Sequence, residues 1–591
     1  MTPRPEPLFL GTPDAPLFGW LHRPTPEHSK NIGLVICNPY GYEAICAHRA
    51  LRRLAVEAAQ AGITTLRFDY HGTGDSSGND LDPARVDAWL SSVHSAIGAL
   101  RMECGAVPIA LAGVRLGASL AMLVASRRGD IDALISVVPV VDGRAYLREL
   151  RALQIAAGQQ PDSSCPHVAQ EAIGFNLTAE TQQSLREMDL TKLSERPAPR
   201  TLLFAKSETF GIQALTTRLA ALGSTVTLHD PVGYTEMMLD AHEAQVPEAL
   251  WAMSLAWLQE HLCPAQEAKS PPVCHSTLQS QALIASAGHQ VREEAIFIDD
   301  DPSAFAIVTS HPALARQPKA VILLNAGAVH HAGPNRMYVE LARRWAREDL
   351  VIMRLDLSGL GDSAPRSEAE ENIVYSPHAN DDVARAVEYL RKRFGTVDVE
   401  SIGLCSGGYH ALKAVSAGVA LRRVTLINPL TFFWREGMST RYPQYRVIAD
   451  AQRYKKNAFQ LSSWLKMIKG QVDMRAVVRV GLAAVSKLAW RTKRRLARLL
   501  RHPLKNDLGF ELDRLGKRGV ALAFVFAIGE PGLEMLESLG GSIVRRLEAR
   551  NQLQIDMIDN ADHTFTICAS REQLIELLTK RVASNTDVSL S

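Results

Sequence analysis

The sequence predicts an α/β protein: two units in tandem, each a mostly parallel β-sheet flanked by helices, with a helical lid inserted in each. Three observations lead there. At 591 residues the chain exceeds one ordinary domain. Its composition, 46% hydrophobic and 22% charged, suits a globular chain and excludes disordered or fibrous classes. The third is that the chain is written twice. Asn38 matches Asn325, Arg49 matches Arg336 and Asp69 matches Asp356, each pair 287 residues apart. Gly113-Val114-Arg115-Leu116-Gly117 then matches Gly403-Leu404-Cys405-Ser406-Gly407 at nearly the same offset.

Taken in order, the first unit covers residues 1–262. NIGLVICNPYGYEAICAHR (31–49) reads as a strand and loop, and a helix then leads to TTLRFDYHGTGDSSG (64–78). The apolar stretch 107–126 is no membrane span, because Arg115 sits near its centre between Gly113 and Gly117. It reads as a buried strand, a turn and a helix start, and a lid is expected at about 144–196. Residues 263–276, rich in Pro and Ser without period, suit a linker. The second unit, 277–582, opens with a strand pair near 281–310 and continues through AVILLNAGAVHHAGPNR (320–336) and LVIMRLDLSGLGDS (350–363). A polar tail, 583–591, follows.

About 90 residues separate the strand ending at Pro429 from the one beginning near Val520, too many for a plain loop, so a lid is expected at about 431–518. Within it, residues 453–505 hold fifteen Lys/Arg and one acid, Asp473, although the whole chain carries only +2. Apolar residues recur there at helical spacing with basic ones between, Arg494 and Arg495 among them. An anionic acyl carrier (an acidic carrier protein or coenzyme A), an anionic saccharide and an anionic membrane face all fit such a surface, as does a plain solvated face. No nucleic-acid-binding module surrounds it. Trp434, Trp464 and Trp490 suggest an apolar underside for an acyl chain, and core packing explains them equally well.

Eight scattered cysteines have neither disulfide-scaffold nor metal-ligand spacing, and no metal or cofactor is expected. The N-terminus lacks the pattern of a secretory signal, so a soluble, cytoplasmic protein is expected.

The chemistry concentrates in the second unit. A strand runs directly into Gly403-Leu404-Cys405-Ser406-Gly407 and then a helix, the context of a nucleophile elbow. Small residues are needed two positions either side of the nucleophile. Cys405 has Gly403 and Gly407 there, whereas Ser406 would have Leu404 and Gly408, so the spacing favours Cys405 and leaves Ser406 as the alternative. A buried structural cysteine in a glycine-rich turn is the plainer explanation.

With DYHGTGDS and GVRLGA in the first half, and NAG, GPNR, DLSGLGDS, GLCSGGYHA and ADHTF in the second, the chain resembles two tandem α/β-hydrolase domains. It is similar to the hydrolases associated with exosortase and exopolysaccharide systems. The resemblance implies the chain order nucleophile, acid, histidine. Glu530, in a Gly-Glu-Pro-Gly turn after an apolar strand, and His563, in ADHTF, stand in that order; Asp559 and Asp562 lie too close to the histidine in sequence to reach around it. An imidazole accepting the thiol proton would activate Cys405, and the carboxylate would orient the ring. The oxyanion donors expected are the backbone N–H of Ser406 and that of Gly327 or its neighbour Ala326. His330, His331 and Arg336 on the same loop are read as loop or salt-bridge residues, and 356–363 as a structural turn.

In the first unit Arg115 holds the nucleophile position, and a guanidinium cannot accept an acyl group. It is either an anchor for Asp or Glu or a binder of an anionic substrate group; Glu208 and His242 are candidate relics of acid and base. The function expected is acyl-transfer hydrolysis of an ester or thioester through Cys405, His563 and Glu530. The alternatives are an acyltransferase using the same acyl-enzyme, and a non-catalytic scaffold or binding protein.

Overall fold

The computed structural model describes residues 3–105, 107–156, 167–262, 279–286, 288–298, 304–435, 438 and 506–583. These divide into two compact units: residues 1–376 with 389–397 and 565–591, and residues 377–388 with 398–564.

The first unit contains an eight-stranded sheet. An antiparallel hairpin, β1 (Glu6–Thr12) and β2 (Ala15–His22), leads into β3 (Ile32–Cys37), β4 (Ile63–Phe68), β5 (Ile109–Val114) and β6 (Ala133–Val137). The sheet is completed by β9 (Arg200–Phe204) and β10 (Thr225–His229), in the order β1-β2-β4-β3-β5-β6-β9-β10, parallel from β4 onward. Strands β3 and β5 are buried along their whole length, as expected of parallel strands covered on both faces. One face packs on Arg85–Cys104 and Leu116–Arg128, the other on Tyr42–Gln60 and Glu248–Leu262. Between β6 and β9 lies an insertion made of the helix Gly143–Ala156, the hairpin β7 (Gln170–Ala172) and β8 (Phe175–Leu177), and the helix Ala179–Glu187. It occupies the stretch where a lid is expected, and it carries a small sheet as well as helices.

The same unit holds five further strands: β11 (Gln281–Ser286), β12 (His289–Phe297), β13 (Phe305–Ser310), β14 (Lys319–Leu324) and β15 (Leu350–Leu355). Successive antiparallel pairings β11-β12-β13-β15 end on β14, parallel to β15. The expected strand pair is thus three strands. The registers repeat those of the first sheet. Gly19 faces Phe68 and Ala306 faces Leu355; Ile36 faces Arg67 and Leu323 faces Arg354, each 287 residues on.

The second unit is built on four parallel strands, β16 (Val399–Leu404), β17 (Arg423–Ile427), β18 (Ala521–Ala527) and β19 (Leu553–Ile558), in sequence order. The helices Ser406–Ala417, Leu508–Lys517, Gly532–Gly540 and Ser542–Glu548 belong to it. Most of the expected lid, with Trp464, Trp490, Arg494, Arg495 and the basic run 453–505, lies outside the described residues, as do the expected linker and most of the tail. Among the described residues no helix is long and apolar enough to cross a membrane.

Candidate active site

Strand β16 ends at Leu404 and the helix Ser406–Ala417 begins two residues later, which leaves Cys405 alone to make the turn. Its φ of 56° and ψ of −115° lie where a side chain is strained. The conformation is held by the Cys405 N–H donating to the Ile427 carbonyl at 2.8 Å. A Cβ on Gly403 would stand 2.1 Å from the Gly407 carbonyl carbon, so the glycine at that position is obligatory. Ser406 is the buried first residue of the helix, and the positive φ falls on Cys405.

Glu530 follows β18 in a tight turn through Gly529, whose φ is +95°. His563 follows β19. Its Nδ1 lies 3.1 Å from Glu530 Oε2, with the two side chains 28% and 22% exposed, so solvent reaches both. Burial alone would lower the His563 pKa. The sulfur of Cys405, acting through charge and as a hydrogen-bonding partner, and then Glu530 outweigh it and raise the ring to about 10. Nε2 itself is buried without a hydrogen-bond partner. Cys405, Glu530 and His563 are therefore brought together, by the ends of three strands of one sheet.

A fourth residue, Asn428, escapes the sequence reading. It sits just after β17 with φ 43° and is 1% exposed. Its Oδ1 accepts from the Ala527 N–H and its Nδ2 donates to the His563 carbonyl, both at 2.8 Å, joining the turn after β18 to the loop carrying the imidazole. The only sequence signal is an asparagine, tolerant of positive φ, immediately before Pro429. In the first sheet the corresponding place after β6 is held by Val138, φ 47°.

Ala326 is buried and Gly327, φ +60°, follows it on the loop after β14 in the first unit. Trp434 lines an open groove of about 400 Å³ in the second unit with Phe433, Tyr409 and Phe510; Lys413 at its edge pairs with Glu511 at 2.9 Å.

Arg115 repeats the elbow without its chemistry. Its φ of 54° and ψ of −123° are those of Cys405 within 10°, and its N–H donates to Val137 O at 2.9 Å. The guanidinium meets Glu43 at 2.6 Å and Glu149 at 2.6 Å over the Tyr146 ring. The candidate relics are not joined: Glu208 accepts from Ser207, and His242 lies 3.8 Å from Glu243.

His331, Asp356 and Asp362 gather their ligand atoms within 4.8 Å. Both imidazole nitrogens are engaged by carboxylates, Asp356 at 2.7 Å and Asp75 at 2.6 Å. The cluster is an ion-pair network.

The helix-covered parallel strands and the strand–turn–helix elbow have the architecture of an α/β hydrolase. Residues 47–220 match the family model described as serine aminopeptidase, S33, a stretch that includes Arg115. No curated protein matches the chain. Among solved structures it is similar to Est1E from Butyrivibrio proteoclasticus, solved with ferulic acid bound, at 16% identity and a TM-score of 0.34, over 44% of this chain and 100% of that one. It is also similar to a thermostable carboxyl esterase from Bacillus coagulans, at 12% and 0.33 over 44% and 99%. A proline iminopeptidase-related protein from Thermus thermophilus gives 18% and 0.31 over 45% and 100%.

Proposed function

We propose that the protein is a cysteine-dependent acyl-transfer hydrolase, with tandem hydrolase units of which only the second is catalytic, cleaving small-molecule esters or thioesters. The observation that carries this reading is that one imidazole, His563, engages Glu530 through Nδ1 and is raised by the Cys405 sulfur.

In the reaction the Cys405 thiolate attacks the carbonyl carbon, forming a C–S bond while the carbonyl electron pair moves to oxygen. The N–H of Ser406 is a proposed donor to that oxyanion. Collapse breaks the bond to the leaving group, which takes the proton from His563 Nε2. Water then attacks the thioester, giving a proton to the same nitrogen, and the second collapse releases the acid and the thiolate. Glu530 keeps Nδ1–H pointed at itself and stabilises the imidazolium. The family's name implies a serine nucleophile. Cys405 in its place gives a better leaving sulfur and so favours acyl transfer to a hydroxyl or amine as well as to water. The basic segment 453–505 suits an acyl donor carried on coenzyme A or an acidic carrier protein.

The test is intact mass after trapping with an activated ester, with the acyl group located by peptide mapping. Acylation of Cys405, lost in Cys405→Ala and kept in Ser406→Ala, supports the reading; acylation of Ser406, or of neither, overturns it.

A further inference from the structure

Four aspartates gather in the first compact unit where the turns after β4 and β15 meet, and three of them have a cation. Asp75 pairs with Arg354 and, at 2.6 Å, with His331; the other nitrogen of His331 meets Asp356 at 2.7 Å. Asp362 pairs with Arg67 and has His48 Nε2 at 3.5 Å. Asp69 is the fourth. Among the described residues no Arg, Lys or His pairs with its carboxylate, which accepts from the Asp75 N–H at 3.0 Å.

The internal repeat shows which donors Asp69 lacks. Asp356, 287 positions on, accepts from Asn325 Nδ2 at 2.6 Å, from His331 Nδ1 at 2.7 Å and from the Asp362 N–H at 2.9 Å. The first half keeps the backbone bond, given by Asp75, the counterpart of Asp362. Both side-chain donors are gone. Asn38, the counterpart of Asn325, turns its Nδ2 to the Phe68 carbonyl at 2.9 Å, and the position of His331 is taken by Ala44.

Asn38, Ala44 and Asp69 line one cavity of about 500 Å³, within the size range of small-molecule sites. Ile45, Leu51 and Phe18 give it apolar walls. His48 and His330 also line it, their rings stacked at 4.4 Å and 8°, and the buried Nδ1 of His330 has no partner. Burial and the nearby His48 and His331 hold His330 well below the ordinary histidine range, so its ring is neutral and keeps one acceptor nitrogen. Burial, and then the charge of Asp75, push the Asp69 pKa up to about 6. The carboxylate is still ionised at neutral pH, with too few donors for its charge. A metal ion is the poorer occupant, because among the described residues the ligand atoms that converge are those of His331, Asp356 and Asp362, without Asp69.

We propose that this cavity binds a small organic cation, an ammonium or amidinium group on a short apolar body, whose N–H donors dock on Asp69 as those of His331 dock on Asp356. The half that lacks a nucleophile thereby has a recognition site of its own.

The test measures binding to the full chain at pH 7.5 by titration calorimetry, with butylamine and benzamidine as probes for the two head groups. Benzamide, which has the shape without the charge, and tetramethylammonium, which has the charge without an N–H, are the controls. At least one probe should bind with a Kd of about 1 mM or below, within reach of so few atoms. Both controls should bind about tenfold more weakly or worse, as charge-assisted hydrogen bonds require. Asp69→Asn, which keeps an oxygen for the Asp75 N–H, should weaken the probe about tenfold or more, while Asp80→Asn, another carboxylate lining the cavity, should stay within about twofold. Hydrogen exchange of the amides in 69–78 should slow when the probe is added. Which probe binds more tightly decides between ammonium and amidinium. Equal binding of either control, equal losses in the two variants, or no probe binding at about 10 mM would overturn the site. Should Asp69→Asn not fold, the ranking of probes against controls and the exchange in 69–78 decide, and protection confined to other segments counts against it.

Discussion

Glu530→Gln is the perturbation that separates a working imidazole from one that merely sits beside a cysteine. The amide is nearly isosteric with the carboxylate, so the turn after β18 should survive. What is lost is the charge facing Nδ1 at 3.1 Å. A hydrogen bond to a charged group contributes about 1.5–3 kcal/mol, and both partners here are about a quarter exposed, which places the value toward the lower end. At 1.36 kcal/mol per decade, about 1.5–2 kcal/mol corresponds to a 10–30-fold loss in kcat/KM. The sign of the pH effect follows from the same pair. His563 is raised to about 10, in part by Glu530. Imidazolium therefore persists well above neutral pH in the native protein, and the alkaline limb of the kcat/KM profile should lie near pH 10. In Glu530→Gln that limb should move to lower pH. The assay is kcat/KM for a short-chain thioester across pH 6–11, in parallel with iodoacetamide labelling of Cys405. An alkaline limb that stays in place, together with unchanged kcat/KM, would refute any role for Glu530 in orienting or charging the ring.

Asn428→Ala should cut kcat and cost about 1–3 kcal/mol in urea unfolding, because it leaves the Ala527 N–H without its acceptor; the two losses measured on one preparation check this. Gly403→Ala should abolish soluble, active protein or cost more than about 3 kcal/mol, since backbone at 2.1 Å cannot give way. Arg115→Met should lower stability by about 3 kcal/mol at pH 7 by stranding Glu43. Burial already raises the Glu43 pKa, so the native state of that variant binds a proton more readily than the unfolded chain; the loss should shrink as pH falls toward 5, which melting curves across pH report. Turnover in Arg115→Met should not change. In mild alkylation at pH 7, Cys37, Cys46 and Cys104, held by burial at about 12, 12 and 11, should stay unlabelled while Cys405 reacts, with peptide mapping as the readout.

What the sequence made legible follows a physical rule. The elbow was readable because strained backbone demands glycine at fixed offsets, and Gly403 and Gly407 are visible as letters. Glu530 and His563 were readable as candidates because each follows an apolar strand, and strand ends are where a parallel sheet presents its chemistry. Asn428 was not readable, because its work is done by one side chain bridging two loops that meet only once β17, β18 and β19 lie side by side. The bridge from Asp75 to His331 was hidden for the same reason on a larger scale, its partners standing 256 positions apart. The repeat itself was visible, and so was the likeness of the two aspartate turns. Their pairing with each other's halves was not, since Asp75 meets Arg354 and Asp362 meets Arg67 only in the folded chain.

The two elbows show why geometry alone does not identify a catalyst. Arg115 and Cys405 share φ, ψ, the stabilising bond to the next strand and the flanking glycines. Backbone strain of this kind is commonly read as a sign of function, yet in the first half it persists around a residue that cannot form an acyl bond. The strain there is held by the sheet, because strand and helix must reverse direction within one residue, and it would persist with any side chain. The difference between the halves lies in what surrounds the side chain. Around Arg115 two carboxylates neutralise a fixed positive charge and freeze it in place. Around Cys405 the neighbour is an imidazole that can take up and return a proton, backed by a single carboxylate on its far side. Catalysis needs a group whose charge can change during the reaction, and the proposed function gives that part to His563 beside the second elbow.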